Sequence, residues 1–199
     1  GENNAGAAHH CYGPGPYDDM RRANSSTITP AASGHPWTEE SGDWSITSNA
    51  LICATSGVAT LNTRALLTRN YTVTAVFNLG VGANVVRLIW KYADANNYLY
   101  VYLSESWLGL VRRIAGTETE VGAGVVPDTV SDGGYWALEA HVIGKSVLAK
   151  AWKSYGNGNV AANSQGHDDF QHANFAASTK VGIAIPNAFD ACTSIDVRF

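Results

Sequence analysis

The chain has 199 residues, 45% of them hydrophobic and only 15% charged, with 20 glycines, which suits one large all-β domain of many short strands and turns. The formal charge of -4, with 13 Lys and Arg spread along the chain, gives no long-range attraction to phosphate backbones or anionic lipid, so nucleic acid is set aside as a partner. No apolar stretch reaches the roughly 20 residues of a membrane-spanning helix, so membrane insertion of that kind is set aside too.

Residues 1–16 carry the run Gly13-Pro14-Gly15-Pro16. Proline lacks a donor and glycine costs entropy in a ladder, so 1–16 reads as an N-terminal arm or linker and 17–199 as the folded domain. From there apolar residues recur every second position, the signature of strands. Strands are expected at 44–52, 57–63, 71–79, 84–92, 98–103, 107–114, 117–122, 135–143, 146–152, 180–185 and 193–199. Within 84–92, Val86, Leu88, Trp90 and Tyr92 sort onto one face and Val85, Arg87, Ile89 and Lys91 onto the other. The turn Ala93-Asp94-Ala95-Asn96-Asn97 then makes a hairpin with 98–103. About eleven strands at this spacing predict two stacked antiparallel sheets, a β-sandwich. The polar segment 153–179 is too long for an ordinary connection and is expected to hold a short helix around 169–177.

Cys11, Cys53 and Cys192 have no C-x-x-C spacing, so a zinc site is set aside. Cys53 reads as a small buried hydrophobe in a strand. Cys11 and Cys192 lie near the two ends, where terminal strands of a sandwich often neighbour; a bridge between them and three free thiols are both open.

Tyr17-Asp18-Asp19-Met20-Arg21-Arg22-Ala23-Asn24, then Trp37, then Gly42-Asp43-Trp44-Ser45-Ile46-Thr47-Ser48-Asn49-Ala50-Leu51 resemble the opening of concanavalin A-like lectin/glucanase modules. Trp90-Lys91-Tyr92-Ala93-Asp94-Ala95-Asn96-Asn97-Tyr98 resembles the hairpin of that family, and Val181-Gly182-Ile183 with Phe189-Asp190 its closing strands. The resemblance covers roughly 17–199 and implies a jelly-roll sandwich of the kind found in phage tail and surface proteins and secreted bacterial polysaccharide-binding proteins. It therefore implies a virion-surface or extracellular setting. It also implies a structural Ca²⁺ near the first and last strands, with Asp18, Asn24 and Asp190 as oxygen ligands; the other reading is that these residues cap turns.

If Leu99, Val101 and Leu103 point between the sheets, Tyr98, Tyr100 and Tyr102 point outward, and the same alternation places Arg87, Lys91, Trp107, Arg113, Glu139 and His141 outside. Were those strands neighbours, the nine side chains would share one surface. Aromatic rings stack on sugar C–H groups while Arg, Glu and His bond hydroxyls or carboxylates. The expected activity is thus non-catalytic carbohydrate binding or adhesion. One alternative is a structural or decoration module docking other subunits of a particle or surface assembly. Another is a polysaccharide lyase in which Arg87 neutralises a uronate and His141 or Tyr100 takes the proton.

Glu118 and Glu120 share a strand face, as a hydrolase pair would, but a solvated hairpin edge explains them as well. His167-Asp168-Asp169-Phe170-Gln171-His172 collects metal-ligand types without a supporting element. Gly122-Ala123-Gly124 opens no helix, so no phosphate loop is expected.

Overall fold

The structure is a computed structural model describing residues 15–63, 70–80, 85–126, 130, 134–144, 146–154, 162–167 (backbone only), 175, 177–185 and 190–199. The strands are β1 (Tyr17–Asp18), β2 (Trp37–Ser41), β3 (Trp44–Thr47), β4 (Ala50–Cys53), β5 (Gly57–Asn62), β6 (Tyr71–Leu79), β7 (Val86–Asp94) and β8 (Asn97–Leu103). They continue as β9 (Trp107–Ile114), β10 (Thr117–Val125), β11 (Gly134–Ile143), β12 (Ser146–Lys153), β13 (Ala162–His167), β14 (Lys180–Ile185) and β15 (Ala191–Arg198). One sheet runs β10-β9-β8-β7-β14-β5-β2; the other runs β13-β12-β11-β6-β15-β4-β3, with β1 also paired to β15. Every pairing is antiparallel. The expected two-sheet antiparallel sandwich is therefore what the chain forms.

Alternation builds it. In β6 buried Tyr71, Val73, Ala75, Phe77 and Leu79 alternate with half-buried neighbours. The inward residues of both sheets make one core around the fully buried Trp44, Trp90, Trp136, Phe77 and Leu88. Burying each such side chain contributes about 1.5–3 kcal/mol.

The expected segment 44–52 is two strands. Ser48 and Asn49 both adopt positive φ, 51° and 61°, the left-handed pair that a tight two-residue hairpin turn requires. β1, β2 and β13 were not foreseen: β1 has two residues, β2 has the polar sequence WTEES, and β13 lies within the long polar segment. The helix expected around 169–177 falls largely outside the described residues, as does the metal-type run beyond His167. Cys53 is buried in β4 as expected; Cys192 is a buried free thiol, and Cys11 lies outside the described residues.

A polar knot ties the two layers beside β1. Asp18 is buried, and its Oδ2 accepts a 2.8 Å bond from Trp37 Nε1 in β2, a strand of the other sheet. Its Oδ1 accepts from the Met20 N–H (3.0 Å) and from Arg22 Nη1 (2.5 Å), and Arg22 Nη2 reaches the Thr29 carbonyl. Met20 takes φ 57°. This left-handed step sends Met20 inward and leaves Asp19 and Arg21 exposed on either side of it.

Candidate functional site on the seven-stranded sheet

The outer side of the seven-stranded sheet carries a second, smaller apolar cluster: Ile89, Tyr92, Tyr98, Tyr100, Val111 and Ala184, with Tyr102 and Val58 packed against it. Register arranges it in three rows across the strands. The first is Lys180, Tyr92, Tyr98, Arg113, Glu118; the second Thr60, Gly182, Ile89, Tyr100, Val111, Glu120; the third Val58, Ala184, Arg87, Tyr102, Gly109, Ala123.

One extra residue in β7 puts these residues in step, and the shift it causes is seen against both neighbouring strands. β7 shifts register against β8 between Ile89 and Lys91, and β14 shifts against it between Lys180 and Gly182. An extra residue reverses the facing of all that follows it. Tyr92, expected inside, therefore joins the outer cluster. Lys91, expected on the binding face, lies opposite Leu99 on the inner side instead and is 4% exposed. Burial pulls its pKa down. Lys91 is accordingly corrected out of the site.

Tyr98, Tyr100 and Tyr102 do point outward; the Tyr98 ring stacks on Tyr92 with centres 5.8 Å apart and lies tilted against Tyr100 at 5.5 Å, and cations cap Tyr92, Tyr98 and Tyr100. Arg87 Cζ sits 4.8 Å from the Tyr100 ring centre, Arg113 Cζ 5.6 Å from Tyr98 and Lys180 Nζ 5.8 Å from Tyr92. Each contact contributes about 0.5–1 kcal/mol at such sites. Glu118 Oε1 accepts from Arg113 Nη1 at 3.1 Å and stands 3.6 Å from Arg87 Nη1. Tyr102 donates to Glu120 Oε2 at 2.7 Å. Burial and then this carboxylate push the Tyr102 hydroxyl up to about 12, and burial above all raises Tyr100 further. Tyr100, only 3% exposed, is thus a poor proton acceptor. At the far edge Glu40 accepts from Lys180 Nζ (2.6 Å) and Thr60 Oγ1 (2.7 Å). Burial works to raise the Glu40 pKa, but these donors outweigh it and hold the carboxyl below its ordinary value.

The surface opens on either side of Arg87, where Ala184 is small on one flank. A depression of about 280 Å³ is lined by Val85, Arg87, Tyr100, Tyr102, Val111, Glu118 and Glu120. Another of about 240 Å³ lies across Arg87, among Ser41, Ser56, Gly57, Val58, Ala184 and Ile185. Arg87 is the wall they share. With strands about 4.8 Å apart, a trough from β5 to β10 extends roughly 24 Å. Trp107, 50% exposed, stands two residues along β9 from Gly109 beside the exposed Val125.

Gly109 is needed there: a Cβ would come within 2.2–2.7 Å of the Tyr102 ring and hydroxyl atoms. Gly109→Ala is expected to swing Tyr102 off Glu120 and cost about 1–3 kcal/mol. Denaturant unfolding measures the loss, and the Tyr102 titration should move back towards that of free tyrosine.

Glu139 and His141 do not belong to this face. They lie on β11, paired to β6 and β12 in the other sheet. Glu139 stands 3.5 Å from Lys150 Nζ and accepts from Thr74 Oγ1; His141 Nδ1 and Thr72 Oγ1 are 2.6 Å apart. The nine-residue surface read from alternation thus divides between the layers, and Arg87 cannot act together with His141 in an elimination. Missed by the sequence reading were Glu118 and Glu120 as partners of Arg87, Arg113 and Tyr102, and Glu40, Lys180 and Tyr92. The alternation Thr117-Glu118-Thr119-Glu120 was the signal for the first pair.

The residues expected to hold calcium do not fit such a cage. Both oxygens of Asp18 are taken by Trp37, Met20 and the Arg22 guanidinium, Asn24 Oδ1 accepts from the Ser48 N–H, and Asp190 Oδ1 accepts from the Gly80 N–H. Among the described residues no three His, Cys, Asp or Glu gather as ligands. Asp190 is fully buried with Oδ2 unpartnered, and burial raises its pKa despite the Gly80 N–H. A folded pKa above the unfolded one means this carboxyl's contribution to stability is fully present below the unfolded value and is lost as pH rises through the folded one. Asp190→Asn is therefore expected to be more stable than the parent at neutral pH, the gap closing towards about pH 4. Thermal unfolding over that range tests it; a gap that widens on acidification contradicts the burial argument.

By sequence, no protein-family profile and no curated protein matches the chain. Solved structures do match by shape. The carbohydrate binding module CBM66 from Bacillus subtilis superposes with TM-score 0.61 at 14% identity, over 82% of this chain and 95% of that one. The GH43 protein BlXynB from Bacillus licheniformis gives TM-score 0.64 at 14% identity over 92% of this chain, which spans 39% of that longer one. The exoplasmic/lumenal domain of VIP36, in a Ca²⁺/Man3GlcNAc-bound form, gives 0.56 at 9% identity over 82% of each. The chain has a concanavalin A-like jelly-roll fold. In this jelly roll the candidate face occupies the outside of the seven-stranded layer, with the shared core behind it.

Proposed function

We propose that this jelly roll is a non-catalytic carbohydrate-binding module, and that it serves as an adhesion or recognition unit of a secreted or virion-surface protein. The observation that carries the reading is the trough divided by Arg87 and flanked by half-exposed Trp107. It supplies a flat apolar ring, a guanidinium donor and the Glu118 and Glu120 acceptors on one surface, the combination that binds sugar C–H faces and hydroxyls. The neighbours named as a carbohydrate binding module and as a mannose-containing glycan complex support the reading. His141 stands on the other sheet from Arg87, and Tyr100, though beside Arg87, is buried with a raised pKa that makes it a poor proton acceptor, so a lyase is not proposed.

Titration against soluble polysaccharides and their oligosaccharides tests the module. Trp107→Ala is expected to weaken binding about two- to ten-fold, the range of one lost aromatic contact. Binding by no saccharide, or binding indifferent to Trp107 and Arg87 alike, would sink the assignment.

A further inference from the structure

The outer side of the other sheet holds a larger depression, about 680 Å³, lined by Asp19, Arg21, Ser48, Asn49, Val76, Tyr135, Thr193 and Ser194. Three separate devices build its walls. The left-handed Met20 leaves Asp19 and Arg21 standing outward after β1. The left-handed Ser48-Asn49 turn projects from the β3–β4 hairpin. The irregularity between Cys192 and Ser194 in β15 presents both Thr193 and Ser194 beside Val76. Tyr135, 39% exposed on β11, supplies an aromatic ring.

The polar groups here differ from those of the trough in one respect. On the seven-stranded sheet Arg87, Arg113, Glu118, Glu120 and Tyr102 are engaged with one another. In this depression Asp19 receives only the backbone N–H of Arg21, and no bond or ion pair within the described residues engages the Arg21 guanidinium or the Asn49 amide. Opposite charges on Asp19 and Arg21 leave the rim without net charge. Donors (Arg21, Asn49), acceptors (Asp19, Asn49) and hydroxyls (Ser48, Ser194) beside an exposed ring match an uncharged polyhydroxylated ligand rather than a phosphate or an apolar peptide.

We infer that this depression is a second saccharide-binding site, for neutral glycan, independent of the Arg87 trough. Two sites on opposite outer faces let one module bridge two chains or bind one polymer with increased avidity. The inference rests on the proposed function only for the class of ligand.

The test is calorimetric titration of the parent, Tyr135→Ala, Arg21→Ala and Trp107→Ala with hexasaccharides of cellulose, xylan and mannan, and of polygalacturonate as the charged control. A neutral hexasaccharide should bind at two sites, with Tyr135→Ala weakening one about two- to ten-fold and Trp107→Ala weakening the other. Arg21→Ala, a change at an exposed side chain, guards against misfolding as the cause and should act as Tyr135→Ala does. One site sensitive to Trp107 alone overturns the inference and leaves the trough standing. One site sensitive to Tyr135 and Arg21 alone upholds it and removes the trough. A Tyr135-dependent site that prefers polygalacturonate overturns the neutral-ligand assignment, and binding of no saccharide overturns both.

Discussion

Asp18→Ala is expected to destabilise the protein by about 3–5 kcal/mol. Removing the carboxylate strands the Arg22 guanidinium, whose side chain is only 20% exposed, and unpairs Trp37 Nε1 between the layers. It also frees the Met20 N–H that holds the left-handed turn. Urea unfolding should show a lower midpoint at unchanged slope. Adding Arg22→Met to Asp18→Ala should recover part of the loss, because deleting both members of a buried pair leaves no uncompensated charge. A loss under about 1 kcal/mol, or no recovery, would show that the knot is solvated and does not join the sheets.

Arg87→Ala is expected to weaken glycan binding about ten- to hundred-fold, the range of a hydrogen bond from a charged group lost in a partly enclosed site. Arg87 faces both depressions, so one truncation removes a donor from each and merges them. It also uncovers the Tyr100 ring and takes one of two cations from Glu118. Arg87→Lys keeps the charge but not the planar fork and should fall between the two. Stability should fall by no more than about 2 kcal/mol, the sum of a partly exposed ion pair and one cation–ring contact. Equal affinity for parent and Arg87→Ala would remove Arg87 from the site.

What could be read in advance follows how local each signal is. The facing of Tyr98, Tyr100 and Tyr102 against Leu99, Val101 and Leu103 was legible because β8 is regular and short-range alternation decides it. The same reasoning placed Lys91 outside and Tyr92 inside, and both are reversed. A bulge adds one residue against a partner strand, and no pattern within 84–92 marks where it comes. Glu139 and His141 alternate as expected, yet the side of the molecule they face depends on which sheet recruits β11. That is a matter of topology, settled by pairing with β6, more than fifty residues earlier in the chain.

The sequence by itself determined an all-β sandwich, the inward rows that make its core, and the outward tyrosines, because alternation and turn chemistry act over a few residues. The tertiary structure alone decided which outward residues share a surface, that Arg87 meets Glu118 three strands away, and that Asp18 serves Trp37 and Arg22 rather than a calcium ion. Those outcomes depend on strand order, bulge position and contacts between layers, which are fixed only when distant segments compete for the same neighbours.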